Sequence, residues 1–125
     1  MGIVSCLGND LDTVSSALAA GRSGIRAMPD YPAAGLRSHV AGVPQIVVSE
    51  HIDRRDLRFM GDAAAFAAIS MARAIAPSGL TETEISNPRT GLIAGTGGGS
   101  PANIVEVADT LRARGLRKVG AARVP

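Results

Sequence analysis

Residues 87–101, with the sequence NPRTGLIAGTGGGSP, decide the fold class. The short apolar run Thr90–Ala94 predicts a buried β-strand, because a strand buried on both faces is apolar along its whole length. A glycine-rich loop follows it. Ser100 as the N-cap and Pro101 at the first helical position then predict a helix that runs to about Ala113. A buried strand, a tight loop and a helix in this order are typical of a layered α/β domain.

Two longer helices are predicted on the N-terminal side of this stretch. The first covers Asn9–Ala20, with Asn9 as its N-cap and Gly21 as the residue that ends it. The second covers about Arg54–Ala76 and is apolar nearly all round, which is typical of a helix buried between other elements. Thr81–Glu84 has the spacing of a capping box and predicts a further short helical turn.

The sequence predicts three helices but only one buried strand, which is too few strands to form a sheet that the helices could cover. Between the first two helices the chain is rich in glycine and proline, and we expect it to be irregular apart from short extended pieces at 39–43 and 45–48. A lone buried strand at Thr90–Ala94 cannot satisfy its own backbone N–H and C=O groups. We therefore expect residues 1–125 to form part of a larger layered α/β domain, whose first strand would precede Gly2.

The composition narrows the class of protein. Thirteen Lys and Arg against eleven Asp and Glu give a net charge of +2, which is too small to indicate nucleic-acid binding. The single cysteine excludes an internal disulfide framework and a multi-cysteine zinc site. No apolar run reaches the roughly 18 residues of a membrane span, and no leader pattern follows Met1. We expect a cytoplasmic protein that has no membrane partner, no metal and no other cofactor.

The glycine run and three isolated residues are the first candidates for chemistry. Backbone N–H groups at a helix N-terminus attract anions, so Gly95–Ser100 could hold a phosphate. No Lys follows the loop, however, and Ser100 occupies the place of the last glycine in the dinucleotide pattern. The alternative is that these glycines allow a close backbone approach or leave space for another group. Cys6, His39 and His51 lack partners at catalytic or metal-ligand spacing, and structural or surface roles are favoured for them.

Two groups of basic residues are more distinctive. Arg54, Arg55 and Arg58 lie at the start of the second predicted helix, where the helix dipole makes cations mildly unfavourable. They suggest an acidic or phosphorylated partner, unless Asp53 and Asp56 neutralise them. The second group lies at the end of the third predicted helix, where the helix dipole alone would account for cations. Its members are Arg112, Arg114, Arg117 and Lys118.

An ordered set of short segments matches one protein family. The segments are 2–5 (GIVS), 7–9 (LGN), 21–25 (GRSGI), 37–40 (RSHV), 52–54 (IDR), 58–60 (RFM), 87–89 (NPR), 91–95 (GLIAG) and 97–101 (GGGSP). In this order they resemble the N-terminal part of the β-ketoacyl-[acyl-carrier-protein] synthases, and the resemblance extends from Gly2 to about Gly120. The RSHV segment and the all-glycine centre of the loop favour the type I condensing enzymes of bacterial fatty-acid synthesis over type II.

The resemblance implies a fold and a reaction for the whole protein. The fold is thiolase-like, with α-β-α-β-α layers, and residues 1–125 would be an incomplete N-terminal part of it. The reaction is the decarboxylative Claisen condensation of fatty-acid elongation, carried out by a homodimer on acyl and malonyl thioesters of acyl-carrier protein. The family's nucleophilic Cys, its two His and its Lys match positions beyond Pro125. We therefore assign no catalytic residue and expect this chain alone to be inactive.

The resemblance also implies a docking surface for the acyl-carrier protein. Three arginines at the start of the second predicted helix match a basic patch that docks this acidic protein, and two more match neighbours of the patch. The five residues are Arg54, Arg55, Arg58, Arg114 and Arg117. Asp56 departs from the family pattern within the patch.

The glycine loop acquires a different role from the resemblance. Gly97 and Gly98 match positions that line the acyl pocket, where the missing side chains leave space for the acyl chain. Two other functions stay open: a truncated, non-catalytic relative that holds an acidic protein, and a phosphate-binding module built on the glycine loop.

Overall fold

The structure is a computed structural model that describes residues 1–120, so the last five residues of the predicted 1–125 domain lie outside the described chain. Short helices and one small sheet make up the fold. The helices are α1 (Leu11–Ala19), α2 (Asp30–Ala33), α3 (Arg54–Leu57), α4 (Asp62–Ile75), α5 (Glu82–Ile85) and α6 (Pro101–Arg114). The strands are β1 (Ile25–Ala27) and β2 (Val40–Gly42), and 3-10 turns occupy Val48–Glu50 and Leu116–Lys118.

The described chain divides into two compact units. The first comprises Met1–Val47 and Ile69–Gly79, and the second comprises Val48–Ala68 together with the described chain from Leu80 onward. The first unit contains α1, α2 and both strands. The second contains α3, α5, α6 and both 3-10 turns, and all the predicted binding residues lie in this unit.

The first unit contains the one sheet that the structure describes. β1 and β2 pair antiparallel in a register that sets Ile25 opposite Gly42. β2 lies inside the extended piece predicted at 39–43, whereas β1 falls in a stretch expected to be irregular. The second extended piece, predicted at 45–48, does not form a strand. A three-residue strand is too short to show an alternating pattern in sequence, so only its partner reveals it.

The cap of α1 differs from the prediction. Asp10, not Asn9, is the N-cap: its carboxylate accepts hydrogen bonds from the backbone N–H and the hydroxyl of Thr13, both at 2.8 Å. Asn9 is held by more distant groups instead. Its side-chain amide donates to the Gln45 carbonyl at 2.7 Å, and its own backbone carbonyl accepts from the Arg73 guanidinium. The predicted cap was wrong because these contacts lie far away in the sequence.

The second predicted helix is two helices, α3 and α4, which are separated by residues 58–61. Phe59 and Met60 donate their backbone N–H groups to carbonyls three residues earlier, which closes α3 with a tight turn. Gly61 lies in the break, where a Cβ atom would overlap the Ser100 side chain. The prediction of one continuous helix was wrong, since the apolar spacing continues through the break but the helical hydrogen bonds do not.

Four helix ends lie where the sequence predicts them, whereas α2 forms in a stretch expected to be irregular. Gly21 follows α1 with φ +62° and Gly115 follows α6 with φ +77°, a region that glycine adopts without strain. The capping box before α5 is formed, because the Glu84 carboxylate accepts from the Thr81 backbone N–H at 2.8 Å. α6 begins at Pro101, as the sequence predicts.

The strand predicted at Thr90–Ala94 is not formed in the described chain. Leu92 is 71% exposed and Ile93 is fully exposed, and no strand within residues 1–120 pairs with this segment. The prediction was wrong for this chain because an apolar run becomes a buried strand only beside other strands that bond its backbone.

The buried core of the described chain is small. Its members are Val14, Ala17, Ala65 and Ile69. α4 supplies two of them but leaves Met71 41% exposed, so the predicted burial of this helix on all sides does not occur. The α-β-α-β-α layers are not assembled within residues 1–120, which are mainly helical with a two-stranded sheet. None of the helices described there is long and apolar enough to cross a bilayer.

Candidate functional site

A groove beside α3 is the candidate functional site. Arg54, Arg55, Leu57 and Arg58 line an open concavity of about 640 Å³, which we call the α3 groove. The single turn of α3 places the three basic side chains around the half-buried Leu57. The structure thus gathers three of the predicted docking residues and one apolar side chain at one concavity.

No ion pair neutralises the α3 groove within the described chain. Neither Asp53 nor Asp56 lies within ion-pair distance of an arginine of the groove. Asp53 is the N-cap of α3, although its side chain makes no capping hydrogen bond. The alternative in which these two aspartates pair with the arginines is therefore not formed. Three guanidinium groups at one concavity attract anions from a distance and can bind carboxylates in a bidentate manner.

An aromatic ring lies beside the groove. The guanidinium carbon of Arg58 lies 4.4 Å from the centroid of the Phe59 ring, which is a cation–π contact. Phe59 is 53% exposed, and its N–H donates to the Asp56 carbonyl at 2.9 Å in the turn that closes α3. The sequence pattern does not indicate this contact, since it predicts a continuous helix through Phe59.

Arg114 and Arg117 do not line the α3 groove. Arg114 is the last residue of α6, and Arg117 lies in the 3-10 turn that packs against the end of that helix. Nearby, Arg112 forms an exposed ion pair with Asp109, with an N–O distance of 3.1 Å. A smaller concavity of about 190 Å³ opens beside this turn. Its lining residues are Glu106, Val107, Thr110, Lys118, Val119 and Gly120.

Gly97 and Gly98 lie on an exposed loop. No heavy atom lies within 4 Å of the position that a Cβ would take at either glycine, so the described residues do not enclose a pocket around them. The Gly98 N–H donates to the Thr96 hydroxyl at 3.4 Å, which uses one of the backbone donors that a phosphate would need. Ser100 is the N-cap of α6, but its side chain makes no capping hydrogen bond.

Cys6 is closely packed against two glycines. Gly24 and Gly42 lie so close to it that a Cβ at Gly24 would overlap its backbone carbonyl and one at Gly42 would come within 3.0 Å of its sulfur. In the part of the chain that the structure describes, no three His, Cys, Asp or Glu side chains gather as a metal ion would require.

Comparison with known proteins settles the family. Residues 1–124 match the family model of the N-terminal domain of beta-ketoacyl synthases. The chain belongs to this family. The 3-oxoacyl-[acyl-carrier-protein] synthase 1 of Haemophilus influenzae is 48% identical over 120 residues, which cover 95% of this chain. The synthase 1 of Escherichia coli K12 is also 48% identical, over 122 residues and 96% of this chain.

A relative that is named as a synthase 2 also matches, at lower identity. The 3-oxoacyl-[acyl-carrier-protein] synthase 2 of Coxiella burnetii matches the whole of this chain at 30% identity, well below the identity to the two synthases named above. The resemblance to type I β-ketoacyl synthases is therefore confirmed. The chain spans about 30% of the length of each of these three relatives.

Proposed function

We propose that this chain is the N-terminal part of a 3-oxoacyl-[acyl-carrier-protein] synthase of type I, and that the whole protein elongates acyl chains by decarboxylative Claisen condensation. The family match over residues 1–124 and the names of the relatives support this proposal. The full-length enzyme would have the thiolase-like layers, would act as a homodimer and would be cytoplasmic. Its further strands would cover the apolar run that is exposed here.

The chemistry of the whole enzyme proceeds in two steps. A cysteine thiolate attacks the acyl thioester, and the acyl group moves to the cysteine while the carrier thiol leaves. Malonyl-acyl-carrier protein then loses CO₂, and the resulting carbanion attacks the acyl-enzyme and releases the cysteine thiolate. Two histidines stabilise the oxyanions that develop. We assign these groups to segments beyond Pro125 and none to Cys6, His39 or His51.

This segment contributes a docking surface for the acyl-carrier protein. The observation that carries this assignment is the α3 groove, in which Arg54, Arg55 and Arg58 surround Leu57 without an ion pair to a described carboxylate. An acidic helix of a carrier protein would present carboxylates to the guanidinium groups and an apolar side chain to Leu57. The charges would act mainly by steering the encounter.

Four further residues belong to the proposal. Arg114 and Arg117 would extend the positive field that the carrier protein meets, although they lie outside the α3 groove. Gly97 and Gly98 would form part of the acyl-pocket wall once the rest of the enzyme encloses the exposed loop.

Charge reversal at Arg58 in the full-length enzyme tests the docking role. We expect Arg58→Glu to raise the KM for acyl-carrier substrates roughly ten-fold, because a repulsive charge replaces an attractive one at the encounter. The turnover of small acyl-thioester mimics, which do not need docking, should remain unchanged. The measurement is steady-state kinetics with both substrate types at two salt concentrations.

Arg26→Glu is the matched control, since it makes the same charge change on an exposed residue of β1. It should leave both activities at the wild-type level. Equal losses with both substrates for Arg58→Glu would show that this residue is structural and would contradict the docking role.

A further inference from the structure

We propose that Phe59 is a positioning residue for Arg58. Its exposed ring holds the guanidinium group at the α3 groove, where an acidic side chain of the carrier protein meets it. The inference rests on the proposed docking function and deepens it. It adds an aromatic residue, outside the lining of the groove, to the set of arginines that the resemblance supplies.

The contact itself is the first support. The guanidinium carbon of Arg58 lies 4.4 Å from the centroid of the Phe59 ring, which is within the range of a cation–π interaction. Arg58 lines the groove, whereas Phe59 does not. The Arg58 guanidinium therefore contacts both the groove and a ring that is not part of the groove lining.

The exposure of the ring is the second support. Phe59 is one of only two phenylalanines in the chain, and it leaves 53% of its surface in solvent. Its backbone is fixed by the hydrogen bond from its N–H to the Asp56 carbonyl at 2.9 Å, and Met60 continues this turn by donating to the Leu57 carbonyl at 3.1 Å. The ring is thus presented on a defined backbone rather than buried in the core.

The physical consequence concerns the entropy of docking. An arginine without a contact samples many rotamers, and fixing it against a partner costs conformational free energy. A guanidinium that is already stacked on a ring loses less freedom when a carboxylate binds its open edge. None of the described carboxylates pairs with Arg58, so the ring is the side chain that restrains it there.

The experiment combines two substitutions in the full-length enzyme. Phe59→Leu should raise the KM for acyl-carrier substrates by about two- to five-fold, which corresponds to an exposed cation–π contact. Turnover number and activity on small acyl-thioester mimics should stay at wild-type values. Phe59→Tyr retains the ring face and should behave as the wild type. In an Arg58→Gln background, Phe59→Leu should have no additional effect on KM.

The outcomes separate this inference from the docking proposal. Arg58→Gln with an unchanged KM for acyl-carrier substrates would overturn the docking role of the groove. A raised KM for Arg58→Gln together with a wild-type KM for Phe59→Leu would overturn the positioning role alone. Equal losses with carrier-bound and small substrates for Phe59→Leu, or an effect that persists in the Arg58→Gln background, would show that Phe59 acts through packing.

Discussion

Single residues decide whether the basic cluster is available to a partner. The three arginines of the α3 groove are adjacent in sequence to Asp53 and Asp56. The sequence alone does not show whether these aspartates form ion pairs with the arginines. The structure shows no ion pair between them in the described chain, because a helix of one turn directs neighbouring side chains apart. The charge of the α3 groove is therefore open to a partner.

Asp10 allows a residue-scale test of the local structure. Hydrogen bonds from the backbone N–H and the hydroxyl of Thr13 hold the pKa of the Asp10 carboxyl below its ordinary value. Because the folded pKa is the lower one, this stabilisation is complete above the unfolded pKa and is lost as the pH falls through the folded pKa. Asp10→Ala should lower the thermal midpoint of the chain at neutral pH, and this difference should disappear in acid.

The measurement is thermal unfolding followed by circular dichroism at several pH values. Asp12→Ala is the matched control, since it removes the same charge from the first turn of α1 but leaves the cap intact. A loss of stability for Asp12→Ala that equals the loss for Asp10→Ala would show that charge near the helix dipole matters, and not the capping hydrogen bonds.

At the scale of elements, the break between α3 and α4 creates the site. The break ends α3 after a single turn, directly before Arg58, and Phe59 in the break is 53% exposed. Gly61 lies in this break against the start of α6, where a Cβ would overlap the Ser100 hydroxyl and lie 3.3 Å from the Asn103 amide nitrogen. The break is therefore a place where residues far apart in sequence, Gly61 and Ser100, pack against each other.

Gly61→Ala tests this packing. We expect it to destabilise the chain by about 1–3 kcal/mol, because the added methyl group forces Ser100 or the backbone to move. Chemical denaturation with urea gives the free energy of unfolding. Gly98→Ala is the control, as no atom lies within 4 Å of its added methyl group, and its free energy of unfolding should match the wild type. An unchanged free energy of unfolding for Gly61→Ala would mean that the segments around Gly61 and Ser100 separate readily.

At the scale of the whole molecule, the apolar run before the glycine loop is the most informative feature. Its composition predicts a buried strand, yet Leu92 and Ile93 are exposed in the described chain. The segment has the side chains of a sheet interior but not the neighbouring strands. This difference agrees with the proposal that the chain belongs to a larger layered enzyme.

Ile93→Asp tests whether the Ile93 side chain is exposed in the 125-residue chain and buried in the full-length enzyme. In the 125-residue chain we expect the free energy of unfolding to change by less than about 0.5 kcal/mol, because the side chain is fully exposed. In the full-length enzyme the same change should cost about 3 kcal/mol or more, since a charge would lie unpaired in a sheet. Denaturant unfolding of both proteins measures the difference, with Ile93→Leu as the control that keeps the side chain apolar. A small effect in the full-length enzyme would contradict a buried strand there.

The sequence by itself determined the family, the ends of α1 and α6 that glycine or proline marks, the capping box before α5 and the identity of the basic residues. These features depend on short segments and on contacts between residues three or four apart, such as the capping box of Glu84 and the glycines that follow α1 and α6. The tertiary structure decided the cap at Asp10, the break at Gly61, the strand β1 and the cation–π contact of Phe59. These features depend on partners distant in sequence or on a local backbone turn that apolar periodicity does not reveal, because burial and pairing are properties of the assembled chain.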